Sequence, residues 1–74
     1  MNIRDLIKNN PNKEFKIKYR VRNFIDKYSC IDRYYTTYLT RCFIPKNTSV
    51  LYGYIDRYNI KSYSLDDIME IAIS

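Results

Sequence analysis

From residue 14 to residue 22 the chain reads Glu-Phe-Lys-Ile-Lys-Tyr-Arg-Val-Arg, an unbroken alternation of apolar and basic side chains after the leading glutamate. A period of two fits an extended strand, with Phe15, Ile17, Tyr19 and Val21 on one face and Lys16, Lys18, Arg20 and Arg22 on the other. The apolar face calls for a core. The basic face brings like charges together about every 6.7 Å, which solvent or an anionic partner must screen. A solvated outer sheet face is the ordinary reading of such a stripe; a partner carrying phosphates or carboxylates is the informative one.

The 74 residues suffice for one small domain, a single sheet with one or two helices over it. Apolar types supply 46% of the chain and nine residues are Tyr, against a single Gly and no Trp or His. Tyrosine joins apolar bulk to a polar tip, so it suits both a core and a binding surface. Residues 1–46 hold eleven Lys/Arg against four acidic residues (+7), and residues 47–74 hold two against four (−2), within the overall +5. A basic body of this kind suits nucleic acid or an acidic protein surface.

No apolar run is long enough to span a membrane, and Arg4, Asp5 and Lys8 interrupt any signal-peptide pattern, so a cytoplasmic protein without membrane contact is expected. Cys30 and Cys42 lie outside any CxxC and have no His nearby, which falls short of a metal site. Buried reduced thiols are expected, a bridge between them being the alternative.

Asn2 followed by Asp5, with Ile3, Leu6 and Ile7 at helical spacing, predicts a short N-terminal helix that Pro11 stops. The basic strand then runs from Glu14 to about Asn23. Residues 24–42 are ambiguous: Phe24, Tyr28, Ile31, Tyr35, Tyr38, Leu39 and Cys42 share a helical stripe, yet the segment is built largely from Tyr, Thr, Ile, Cys and Ser. Propensity favours a strand over about residues 31–44, a turn at Pro45-Lys46-Asn47-Thr48, and a third strand over residues 49–57 returning as a hairpin. Ser64 with Asp67 three residues on, a Tyr63/Ile68 staple and an apolar set of Leu65, Ile68, Met69 and Ala72 predict a C-terminal helix. The expected fold is therefore α+β, a three-stranded antiparallel sheet flanked by N- and C-terminal helices, αβββα.

The string Ile-Asp-[Lys/Arg]-Tyr occurs at residues 25–28, 31–34 and 55–58. Its spacing is not that of a stacked repeat, so coincidence is the ordinary reading. The functional alternative is a set of cations each set beside a stacking ring.

Catalysis finds little support. Without His there is no imidazole base, and one glycine, Gly53, makes no phosphate-cradling loop. Asp26, Asp32 and Asp56 each adjoin Lys or Arg, where ion pairing is the ordinary role. A protein without enzymatic activity or cofactor is expected.

The opening Met1-Asn2-Ile3-Arg4-Asp5-Leu6-Ile7, the Asn/Lys-rich break and the strand Glu14-Phe15-Lys16-Ile17-Lys18-Tyr19 together resemble the start of small phage-encoded anti-CRISPR inhibitors of αβββα order. The likeness covers about 20 of the 74 residues and includes no functional motif. The best-known of those inhibitors are strongly acidic and imitate DNA, whereas this chain is basic, so their mechanism does not transfer. What the resemblance implies is a small phage or mobile-element protein that works by binding, with a Cas effector among the possible targets. The expected contact set is Lys16, Lys18, Arg20 and Arg22, joined by Arg33 and Arg41 if the odd positions of the second strand face outward, and by Tyr52 and Tyr54. Basic groups neutralise phosphates and rings stack on bases. Such a surface suits an inhibitor docked on a host protein or nucleoprotein, a free-standing RNA- or DNA-binding regulator, or a structural, oligomeric phage component whose stripe serves solubility.

Overall fold

The computed structural model describes residues 2–74. Helix α1 (Ile3–Asn9) is capped by the Asn2 side chain, which accepts from the Arg4 amide at 2.7 Å. Five strands complete the chain: β1 (Phe15–Phe24), β2 (Cys30–Phe43), β3 (Val50–Tyr54), β4 (Ile60–Ser64) and β5 (Ile68–Ile73). All neighbouring pairs are antiparallel, in the order β4-β3-β2-β1-β5. The three-stranded αβββα expectation is thus corrected to a five-stranded sheet with one short helix.

Two elements account for the correction. Ser64 does cap a turn, accepting from the Asp66 amide, but the turn is a single 3-10 segment, Leu65–Asp67. From there the chain enters β5, not a helix. Ile68, Ile71 and Ile73 are β-branched, and the segment pairs along the otherwise open edge of β1, Phe15 with Ile73 and Lys18 with Glu70. The expected third strand is likewise shorter, because the chain turns at residues 55–59 and returns as β4. In residues 24–42 the strand prevails over the helical stripe, with a hairpin tip at 25–29.

The link between β4 and β5 makes the sheet roll up. In a flat five-stranded sheet the outer strands would lie about 19 Å apart, whereas three linking residues span at most about 14 Å. Register shifts between Thr40 and Phe43, where Arg41 has φ 52°, and between Lys18 and Tyr19 accompany the curvature. β2 belongs to both halves, pairing with β1 over its first ten residues and with β3 at Thr40 and Phe43.

Inside the roll lie Phe15, Ile17, Leu39, Leu51, Cys42 and Ile68, with Ile7 of α1 packed against them. Gly53 is required here: a Cβ would meet Leu39 Cβ at 2.8 Å and Cys42 Sγ at 3.0 Å. Burial pushes the Cys42 thiol up to about 11. Both cysteines are free, and Cys30, contrary to expectation, is exposed beside Phe24 at the base of the first tip.

Beyond Tyr19 the architecture changes. β5 ends its pairing there and β3 meets β2 only from Thr40 onward, so residues 20–24 and 30–34 form a two-stranded ribbon with both edges open. The molecule measures 41 × 25 × 20 Å.

Candidate anion-binding face

Because Phe15 and Ile17 point inward, Lys16, Lys18, Arg20 and Arg22 point outward, and cross-strand pairing sets which residues of β2 join them. Tyr38 stands opposite Lys16, Thr36 opposite Lys18, Tyr34 opposite Arg20 and Asp32 opposite Arg22. From β5, Ala72 and Glu70 complete the face beside Lys16 and Lys18. Lys16, Lys18, Thr36, Glu70 and Ala72 line a shallow depression in it. The Lys18 ammonium lies 5.8 Å from the centre of the Tyr34 ring.

The four cations are not equivalent. Arg22 Nε donates to Asp32 Oδ1 at 2.9 Å across the strand pair. Arg20 reaches the 3-10 turn, donating to Asp67 Oδ1 at 3.1 Å and to the Asp66 carbonyl at 3.2 Å. Lys16 and Lys18 form no ion pair among the described residues. Half of the stripe is therefore matched within the chain, and the half with unmatched charge lies beside exposed tyrosines.

The remaining expected contact residues do not gather on this face. Arg33 pairs with Val21 and so lies on the opposite face of the ribbon, together with Tyr35 and Ile31; the odd positions of β2 follow the core side, not the stripe. Arg41 sits at the β2 irregularity, its guanidinium 3.9 Å from the Tyr54 ring centre and donating to the Arg57 carbonyl at 3.1 Å. Tyr52 stacks on Phe43 with ring centres 5.3 Å apart. Arg41, Tyr52 and Tyr54 thus form a second surface on the β3 half of the roll.

Tyr34 and Tyr38 lie outside the contact set expected from the sequence. Their signal lay in register: even positions of β2 face out when even positions of β1 do.

The repeated Ile-Asp-[Lys/Arg]-Tyr string divides. Residues 31–34 are extended within β2, with Asp32 held by Arg22. Residues 25–28 and 55–58 instead build two matching hairpin tips. Asp26 accepts from the Tyr28 and Ser29 amides at 2.7 and 3.0 Å, and Asp56 from the Tyr58 and Asn59 amides at 2.8 and 2.9 Å. The Ile25 amide donates to the Ser29 carbonyl and the Ile55 amide to the Asn59 carbonyl, each at 3.0 Å. Asp26 and Asp56 serve as turn acceptors, not as ion-pair partners of their neighbours. The Tyr28 amide above all holds the Asp26 carboxyl below its ordinary value, and the Asn59 side chain does the same for Asp56. What separates the tips from the extended copy is the flanking pair, an aromatic residue before and Ser or Asn after.

Among the described residues no group of His, Cys, Asp and Glu is placed to hold a metal ion, and no helix is long and apolar enough to cross a membrane. No protein-family model, curated protein or solved structure matches this chain.

Proposed function

We propose that this chain is a small non-enzymatic binding protein whose outer β1–β2 face docks on an anionic host component. The observation that carries the reading is the pair Lys16 and Lys18, free of ion pairs among the described residues and set beside the exposed rings of Tyr38 and Tyr34. Clustered cations without carboxylate partners attract phosphate-bearing surfaces and accelerate encounter with them. A phage or mobile-element inhibitor that acts inside the host cell on a defence nucleoprotein, such as a CRISPR-Cas effector, would use a face of this kind. That narrower identification is supported by the N-terminal likeness; the basic charge sets the chain apart from the acidic inhibitors, and their αβββα order is not the order found here. Tyrosines beside cations also favour a second reading, a free-standing regulator that binds RNA or DNA directly.

The test is the double reversal Lys16→Glu/Lys18→Glu, which leaves the Arg20 and Arg22 ion pairs untouched. Loss of partner binding with an unchanged thermal midpoint is expected, together with weakening of the native interaction as salt rises. Equal binding by the reversed protein would reduce the stripe to a solvated face. Binding to naked RNA or DNA separates the second reading from the first.

A further inference from the structure

We propose that the two matching hairpin tips are a pair of base-stacking elements that hold one single strand of nucleic acid at two points. This rests on the anionic-partner reading and names the nucleic-acid component of that partner.

The tips share sequence, hydrogen bonding and exposure. Tyr28 is 86% and Tyr58 82% exposed, flanked by the exposed Ile25 and Ile55. A tyrosine ring left this open on a turn otherwise fixed by an Asp side chain is a presented surface and contributes nothing to the core. The first tip also carries a cation near its exposed ring, and the second has a cation and a ring at its base. Lys27 Nζ lies 4.9 Å from the centre of the Tyr28 ring. At the second tip the Arg41 guanidinium covers Tyr54 and is fastened to the Arg57 carbonyl. The acidic residue of each tip is turned into its own loop, where backbone amides and the Ser29 or Asn59 side chain occupy it.

The duplication points to the occupant. Successive turns of an antiparallel meander alternate in direction, so the turns after β1 and after β3 point the same way, the second set back along β2 because Phe24 stands opposite Cys30 and Tyr54 opposite Thr40. Two like elements that point the same way and are spaced along one strand suit a ligand made of like units along a chain, each with one flat ring and one negative charge. A single nucleic-acid strand has that construction. The bases of the tips are joined by the stretch of β2 from Cys30 to Thr40, at most about 33 Å if fully extended, a distance compatible with a footprint of roughly 4–16 nucleotides.

The experiment measures fluorescence anisotropy of labelled oligouridylate of about twenty nucleotides against the full chain, with Tyr28→Ala, Tyr58→Ala, the double variant and the corresponding Phe variants. Both side chains are exposed, so thermal midpoints should not move. Each Ala substitution should weaken binding about five-fold or more, the double variant should lose more than either, and the Phe variants should bind as the native protein does. An oligomer of about four nucleotides should bind more weakly and lose the added effect of the second substitution. The inference is overturned if Ala variants bind the long strand unchanged, if Phe fails to replace Tyr, if a blunt duplex of the same length shows the same tyrosine dependence, or if the native protein does not bind the strand. Loss on Lys16→Glu/Lys18→Glu combined with unaffected Ala variants would discard the tips and retain the basic face.

Discussion

Strand β1 passes through two environments, and its apolar face fares differently in each. In the body of the roll, Phe15 and Ile17 are fully buried between β2 and β5 and under the curled β3 half. In the ribbon, Val21 continues the same face and is 36% exposed, because β5 no longer pairs beside it and β4 borders it only across an open depression lined by Ser62, Tyr63 and Ser64. Alternation assigns faces, but burial needs a covering layer. The body therefore holds the stability, while the ribbon and the tips hold aromatic and basic groups that stability does not require. An isolated two-stranded hairpin is marginal in water, so the ribbon persists because its base is anchored in the roll, aided by the Arg20 and Arg22 ion pairs.

Equivalent truncations should therefore cost very different amounts in the two regions. Ile17→Ala should destabilise by about 2–5 kcal/mol, most of what a domain of this size commands. Val21→Ala should cost about 0.5 kcal/mol or less. Denaturant unfolding of the two variants reads the contrast directly. Gly53→Ala, next in size, should cost about 1–3 kcal/mol, since its Cβ would press on the Leu39 Cβ within a packed interior.

Smaller effects sharpen the picture of the outer face. Glu70 lies in register with Lys18, and its charge would oppose the anionic partner proposed for this face. Glu70→Gln should therefore strengthen binding by about 0.2–1 kcal/mol, and the gain should shrink at high salt; weaker binding would mean that the partner does not approach the Lys16 and Lys18 depression. The smallest effect concerns pH. Asp26 and Asp56 have carboxyls held below their ordinary values by turn donors, so their contribution is present above the unfolded carboxylate value of about 3.9 and is lost as pH falls through the lower folded values. An NMR titration should show the Tyr28 and Tyr58 amides shifting together in that acid range, with body amides unaffected. If the two amides shift at widely different pH, the tips are not equivalent.

Much of β1 was legible because its period of two is unbroken, and β2 because its composition of Tyr, Thr and Ile outweighed a helical stripe that covers no partner. The C-terminal segment is a strand for a reason outside its own residues. Leu65, Ile68, Met69 and Ala72 make a helix face, and the open edge of β1, some fifty residues earlier, decides for a strand instead. β4 carries almost no local signal: Ile60, Ser62 and Ser64 face one way and Lys61 and Tyr63 the other, with hydrophobicity on neither side dominant. For the candidate site, the stripe itself could be read, but its neutralisation could not. Asp67 reaches Arg20 across 47 residues because β5 pairs with β1 and sets Ile68 opposite Tyr19, and Arg33 lies on the other face because cross-strand pairing ties it to Val21.

Residue-resolved hydrogen exchange on the free protein tests the division between body and ribbon most directly. Amides that pair β1 with β2 over residues 15–19 and 35–39 should exchange only through global unfolding, whereas those of residues 20–24 and 30–34 should exchange through local opening at lower free energy. Equal protection along the whole length of β1 and β2 would contradict the account, because it would make the ribbon as much a part of the stable body as Phe15 and Ile17.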